Sequence, residues 1–205
     1  YANDFKFDNQ PVLGKPANYA RIREIGKEGV LALIPDSLYC GSGTKTPSET
    51  VARELLREVM LNTENTGNAI IATTFASNIA RLKSIIEFGK KLDRKIVFMG
   101  RSMHRYTMAA EKLKLVNFSK EVEICKYANN IKRKLKQIEK EGRDRYLIIC
   151  TGNQGEPRST LVKMANHELP FNFKDEDHII FSCKTIPAKE NIENIIKENK
   201  NVKIR

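Results

Sequence analysis

Short apolar runs alternate along the chain with stretches whose apolar residues recur every three or four positions. VLALIPDS (30–37) reads as a buried strand, and NAIIATTF (68–75), KIVFMG (95–100), RYLIICTG (145–152) and DHIIFSC (177–183) read as four more. Helical spacing predicts helices over 48–62, 77–92, 104–116 and 129–142, a short one over 158–166 and another over 189–199. Ser48 after Pro47, and Ser77, are the N-cap candidates of the first two, and the closing NVKIR reads as a strand just beginning. Strands apolar nearly throughout, alternating with helices, argue for an α/β fold: a mostly parallel sheet covered by helices on both faces. Residues 1–36 have another texture. DFKFDNQPVLGKP is polar, turn-rich and hairpin-like and reads as the edge of a second domain. The sequence opens Tyr-Ala-Asn-Asp without a start methionine, so it reads as a piece of a longer protein.

In open parallel sheets ligands bind at the carboxyl ends of strands, where loops enter helices. Five such ends carry small, hydroxylic or basic residues: Asp36-Ser37, Thr74–Asn78, Gly100–Ser102, Thr151–Arg158 and Ser182–Thr185. The most informative is T-G-N-Q-G-E-P-R (151–158). Gly152 and Gly155 let the backbone approach a ligand, the following helix offers N–H groups to a phosphate, and Asn153, Gln154, Glu156 and Arg158 surround them. A tight loop whose glycines only satisfy geometry explains the same pattern. It is not a Walker loop, since no G-K-[ST] is present. Ser77 and Asn78 suit a helix cap that also touches a phosphate or ribose, with Phe75 free to stack on a base; a plain cap and a core phenylalanine is the simpler alternative. Arg101, His104 and Arg105 stand at a helix mouth, where the fixed fork of arginine donors suits phosphate.

The net charge of +11 strengthens that picture without deciding it. Such a surplus favours polyanions through counterion release, which makes nucleic acid the first partner to consider. Helices such as KRKLKQIEKEGR, however, mix Lys with Glu as an ordinary solvated face does. Cys40, Cys125, Cys150 and Cys183 are widely spaced with no C-x-x-C, which argues against zinc or a disulfide framework, and the two inside apolar strand-like runs, Cys150 and Cys183, read as small buried hydrophobes in a reducing cytosol. No apolar run approaches the roughly 20 residues that span a bilayer, and no signal-peptide pattern opens the sequence, so a cytoplasmic protein is expected. The acids of interest are Asp4 and Asp36. Asp36 closes the 30–37 strand, where a buried acid must be paired, hydrogen-bonded or bound to metal; Asp4 belongs to a metal site or, with Asp8, flanks a turn. The three histidines, His104, His167 and His178, lack H-x-H or H-E-x-x-H spacing. His178 reads as a surface or edge residue and His167 as part of a helix end, so no self-contained catalytic metal site is expected.

DFKFDNQPVLGKP, IGKEGVLALIPDS, TKTPSE, TTFASNIARL, IVFMGRSM, ICTGNQGEPRSTLVKMAN and IIFSCKTIPAKE follow one another along most of the chain. In that order they resemble ribonuclease J, the prokaryotic member of the β-CASP branch of the metallo-β-lactamase-fold nucleases. The spacing and lysine-rich texture look more archaeal than bacterial. The resemblance implies that residues 1–37 are a fragment of the metallo-β-lactamase-fold domain, 38–190 the β-CASP domain inserted into it, and 191–205 the start of the return. It further implies a metal-dependent ribonuclease, a 5′-to-3′ exonuclease and also an endonuclease, which acts in RNA processing and decay with two divalent metal ions, usually zinc. Asp4, in N-D-F-K-F-D, falls on the fourth lactamase motif, whose aspartate bridges the metals. Asp36, in P-D-S, falls on the acidic β-CASP motif A, where it would orient a metal-bound histidine or help proton transfer. Pro35 and Leu38-Tyr39 depart from the S-D-S-T-like wording of that motif, but the acid is kept.

The family's H-x-H-x-D-H ligands and third-motif histidine would lie before Tyr1, and the histidines of motifs B and C after Arg205, so this chain alone is expected to be inactive. It would form the opposite wall of the RNA channel. There TGNQGEP, Ser77-Asn78 and the Arg101–Arg105 cluster would grip phosphates of single-stranded RNA and help to hold a 5′-monophosphorylated end. Homodimers of the family form largely through parts outside this sequence. Two other readings stay open. A β-CASP endonuclease of the mRNA 3′-end cleavage type carries different wording around motif A and in the core. A non-enzymatic nucleotide- or phosphate-binding module with a Rossmann-like sheet needs a G-x-G-x-x-G after its first strand, whereas S-L-Y-C-G-S-G-T follows Asp36.

Overall fold

The apolar runs of residues 68–183 become strands of a single all-parallel sheet. The computed structural model describes residues 1–3, 5–37, 40–183, 196 and 203–204. They fall into two compact units, Tyr1–Glu54 and Leu55–Arg205, and the sheet belongs to the second. Helices α1 (Tyr19–Glu28) and α2 (Glu49–Leu61) precede it. Then β1 (Ile70–Thr73), α3 (Ile79–Lys91), β2 (Lys95–Met99), α4 (Arg101–Lys112), β3 (Glu123–Cys125), α5 (Ala128–Glu141), β4 (Tyr146–Cys150), α6 (Thr160–Ala165), β5 (His178–Phe181) and β6 (Lys203–Ile204) follow, in the sheet order β3-β2-β4-β1-β5-β6.

Successive strand residues point to opposite faces, and each face buries its own cluster. Ile71, Val97, Ile148 and Ile179 pack with Leu135 and Ile138 of α5, Leu161 of α6, and Phe171. Ile70, Phe98, Ile149 and Ile180 pack with Leu82, Ile85 and Phe88 of α3, Met103 of α4, and Leu56 and Met60. The expected parallel sheet with helices on both faces is therefore what the chain forms. Among the described residues no helix is long and apolar enough to cross a membrane.

Several elements differ from the sequence reading. Residues 30–37 are not a buried strand: Leu31, Leu33 and Ile34 are exposed, and their pairing is a parallel bridge between Ala2 and Pro35. Apolar content buries a strand only where a second layer covers it, and these side chains have none among the described residues. Among the described residues the N-terminal segment forms no hairpin; it runs through turns into α1, which opens on Asn18 accepting the Arg21 N–H and buries none of its residues. Strand β3 is three residues long and begins on exposed Glu123, too short and too polar at its start to stand out. Helix α4 starts at Arg101 rather than 104, directly after Gly100. The cap of α3 is Asn78, not Ser77, with its side-chain oxygen accepting the Arg81 N–H at 3.1 Å. His178 is buried, because β5 is flanked by both β1 and β6 and is no edge strand. The helix expected over 189–199 lies outside the described residues apart from Ile196, which is helical and buried.

In the first unit Asp8 does more than flank a turn. Its carboxylate accepts the Glu49 N–H at 2.8 Å and the Ser48 hydroxyl at 2.6 Å, so an acid 40 residues away in sequence from Ser48 caps the start of α2. The bond from the Glu49 N–H is the main reason its carboxyl is held down at about 2, with Ser48 adding to it. A depressed carboxylate contributes stability that is present above its unfolded value near 3.8 and is lost as pH falls toward 2. Asp8→Asn turns one accepting oxygen into a donor and is expected to cost about 1 kcal/mol at neutral pH and to flatten the acid limb of stability between those two values. Urea titrations at pH 6 and at pH 2.5 check this; the gap between parent and variant should be larger in the first and shrink in the second.

Candidate nucleic-acid interface

Five strands end level with one another. The register pairs Cys125 with Met99, Met99 with Cys150, Cys150 with Thr73, and Thr73 with Phe181. Their carboxyl-end loops, Lys126-Tyr127, Gly100-Arg101, Thr151–Arg158, Thr74–Asn78 and Ser182-Cys183, therefore form one row. Between neighbouring β1 and β4 the chain leaves to opposite faces, since α3 packs with one buried cluster and α6 with the other. That divergence is a topological switch point, where an open α/β sheet has a crevice for a ligand.

The 151–158 loop is shaped at its first glycine. Gly152 has φ +131°, and a Cβ there would lie 2.6 Å from the Leu161 Cβ and 2.7 Å from the Ser159 Oγ. The chain then turns, with the Gly155 N–H donating to the Gly152 carbonyl at 3.0 Å and the Gln154 N–H to the Glu156 carboxylate at 3.1 Å. Ser159 caps α6 by accepting the Val162 N–H. Gly152→Ala is expected to lower stability by about 1–3 kcal/mol through overpacking, read as a shift of the urea midpoint. Asn153 is only 1% exposed, yet neither its amide oxygen nor its amide nitrogen has a hydrogen-bond partner among the described residues. An orphan buried amide costs about 1–3 kcal/mol and is rare enough to need a reason.

Beside it, β1 and β5 are tied at their ends. The Thr74 hydroxyl donates to the Ser182 carbonyl at 2.9 Å, and Arg81 donates to the same carbonyl and to the Ser182 hydroxyl. Ser77 is exposed and Asn78 half-buried at the head of α3; Arg101 and Arg105 are exposed, and His104 is half-buried on α4. Gln154, Gly155 and Glu156 are half-buried and Arg158 is exposed. Arg101, Arg105, Lys126, Arg158 and Lys163 make no ion pair among the described residues. Arg94 and Arg143, by contrast, are buried at the amino-terminal end of the sheet and bound there, Arg94 to the carbonyls of Asn65, Asn68 and Tyr146 and Arg143 to Asp177. The carboxyl edge thus carries five cations that are not taken up in ion pairs among the described residues.

Lys126 and Tyr127 were not legible as candidates because β3 was not legible as a strand, although the alternation V-E-I-C-K-Y was the signal; Lys163 lies within the helix expected over 158–166, where a lysine reads as an ordinary solvated residue. Asp4 lies outside the described residues. Asp36 is exposed in the first unit, where its N–H donates to the Ala2 carbonyl at 3.0 Å and the Ala2 N–H to the Ile34 carbonyl at 2.9 Å. Among the described residues no three His, Cys, Asp or Glu side chains gather to hold a metal ion. Burial pushes the Cys125 thiol up to about 11 and the Cys150 thiol up to about 12, as expected of structural cysteines.

Residues 67–199 match the family model of the ribonuclease J β-CASP domain. The chain belongs to the ribonuclease J family. It is 42% identical to ribonuclease J of Methanocaldococcus jannaschii over 191 residues, which cover 93% of this chain and 43% of that protein. Against ribonuclease J of Pyrococcus abyssi it is 42% identical over 192 residues, 94% of this chain and 42% of the relative. Identity to ribonuclease J of Sinorhizobium meliloti is 34% over 200 residues, 96% of this chain and 33% of the relative. The chain thus spans less than half the length of these relatives. The matched ribonuclease J segment holds β1 to β5 and with them the whole row of strand ends.

Proposed function

We propose that this chain is the RNA-gripping part of a metal-dependent ribonuclease that degrades single-stranded RNA 5′-to-3′ and also cuts internally. The observation that carries the proposal is the carboxyl edge of the sheet, where unpaired cations flank the orphan amide of Asn153. Phosphates suit the arginines, and the backbone N–H groups and Asn153 amide offer neutral donors beside them. Family membership supports RNA as the polyanion. In this reading Ser77, Asn78, Arg101, His104, Gly152, Asn153, Gln154, Gly155, Glu156 and Arg158 line the RNA path, and a 5′-monophosphorylated end binds more tightly than a 5′-hydroxyl one. A cytoplasmic setting and a homodimer of the whole protein belong to the same proposal.

The proposal includes two divalent ions, zinc by preference, as cofactor of the whole protein, with Asp4 as one ligand and Asp36 orienting another. When bound, such ions would supply an activated water and stabilise charge on the phosphodiester. The described residues do not assemble that site by themselves. Its support here is local: the Ala2–Pro35 bridge lays the segment before Asp4 alongside the segment that ends in Asp36. In the full-length protein Asp36→Asn is expected to slow RNA cleavage about 10- to 100-fold while leaving RNA affinity unchanged. Cleavage at the parent rate would remove Asp36 from the reaction, and equal cleavage of 5′-phosphate and 5′-hydroxyl RNA would remove the end preference.

A further inference from the structure

We propose that the cleft between the ends of β2, β3 and β4 is a nucleotide subsite, which seats one base against Tyr127 and its phosphate among Arg101, Lys126, Arg158 and Lys163. The inference rests on the RNA reading above and adds to it a place, a stacking residue and two further cations. The cleft holds about 320 Å³, and among the described residues no acidic side chain lines it. That volume is at the lower end of ligand pockets, about 300–1,000 Å³. Four cations converge there, Arg101 from the start of α4, Lys126 and Arg158 from the loops after β3 and β4, and Lys163 from α6, and none has an acidic partner among the described residues. A surface built only for solubility mixes signs, as this chain does where Lys90 pairs with Glu121 and Lys134 with Glu123. Four unpaired cations around a concavity instead create a local positive potential that suits a phosphate.

The aromatic makes the cleft selective for a nucleotide over a bare anion. Tyr127 is 57% exposed although it is a large ring, and the Lys126 ammonium lies 4.9 Å from its centroid. An exposed ring beside cations is the combination that holds single-stranded nucleic acid, with the base on the ring and the backbone on the charges. The position is fixed from below: the Gly100 N–H donates to the Cys125 carbonyl at 2.9 Å, which locks the β2 and β3 ends together. Neither Gly100 nor Tyr127 caps its following helix with a side chain, so the first N–H groups of α4 and α5 are not occupied by one.

The chain contains no tryptophan, so Tyr127→Trp places a single tryptophan in the cleft, which can be excited apart from the tyrosines. Its emission should be quenched by an unstructured oligoribonucleotide and not by inorganic polyphosphate, which carries the charge without the base. Tyr127→Ala should weaken oligonucleotide binding about tenfold, while Tyr127→Phe binds as the parent does. Lys126→Gln and Lys163→Gln should each make the salt dependence shallower by about 0.7. Quenching by adenosine 5′-monophosphate alone supports the subsite with a free nucleotide as occupant; quenching by the oligonucleotide alone supports it with the RNA strand. If RNA binds while the tryptophan emission and the Tyr127→Ala affinity stay unchanged, the subsite is overturned and the wider RNA reading stands. If no RNA binds to the parent chain at low salt, both are overturned.

Discussion

Arg143→Met is expected to cost the sheet-bearing unit about 3–5 kcal/mol. Arg143 is buried before β4 and donates to the Asp177 carboxylate at 2.6 Å and to the Asn172 carbonyl at 3.2 Å; it also pairs with Glu139 and lies 4.7 Å from the Phe171 ring centroid. Asp177 is fully buried before β5. Its two oxygens accept the Ala69 N–H at 2.9 Å and the Lys174 N–H at 2.8 Å, which ties the entries of β1 and β5 together. Methionine keeps most of the bulk but leaves that carboxylate without a counterion in a dry site. Burial already pushes the Asp177 carboxyl upward, outweighing the bonds that pull it down. Without Arg143 it rises further, and a raised carboxyl favours the folded state only below its own pKa. The deficit should therefore shrink as pH falls through the carboxylate range and be largest at neutral pH. Urea midpoints at pH 4 and pH 7 measure it, and a loss below about 1 kcal/mol at pH 7 would contradict the account of the buried pair.

The second large effect is on binding. Replacing Arg101, Arg105 and Arg158 together by glutamine should make the slope of log affinity against log salt shallower by about 2, because each phosphate contact on a single strand contributes roughly 0.7. At 0.1 M salt that corresponds to about a 100-fold weaker complex. All three side chains are exposed and make no ion pair among the described residues, so stability should stay within about 0.5 kcal/mol of the parent. Isotherms at several salt concentrations separate this from a general loss of folding. An unchanged slope would take the arginines off the RNA path.

The layer architecture was legible because every long strand of the sheet is apolar on both faces, and only a doubly covered sheet explains that. The loop 151–158 was legible for a related reason: two glycines close to the end of an apolar run mark backbone that cannot carry a Cβ, and Gly152 meets that condition sterically. Legibility failed where an element owes its existence to its neighbours. Strand β3 needs β2 beside it, and its three residues carry too little pattern to show alone. His178 sits after three acidic residues, which suggests solvent; the placement of β6 on its far side buries it, and no local rule contains that information. The run 30–37 failed in the opposite direction, since apolar residues promise a core that the described residues do not provide. Asp8 was half-read: its polarity suggested a turn, but its function as a cap depends on Ser48 and Glu49. Unpaired charge is likewise invisible in a composition. Only the fold separates Arg94 and Arg143, bound within the structure, from Arg101 and Arg158 at its edge.

Amide hydrogen exchange of the chain with and without 5′-monophosphorylated single-stranded RNA tests the central claim most directly. The account predicts slowed exchange on RNA binding in 74–78, 100–105, 126–130 and 151–158, all at the carboxyl edge of the sheet, and no change in 65–69 or 174–177 at the opposite edge. Protection confined to that opposite edge, or none at a salt concentration where RNA is bound, would contradict it.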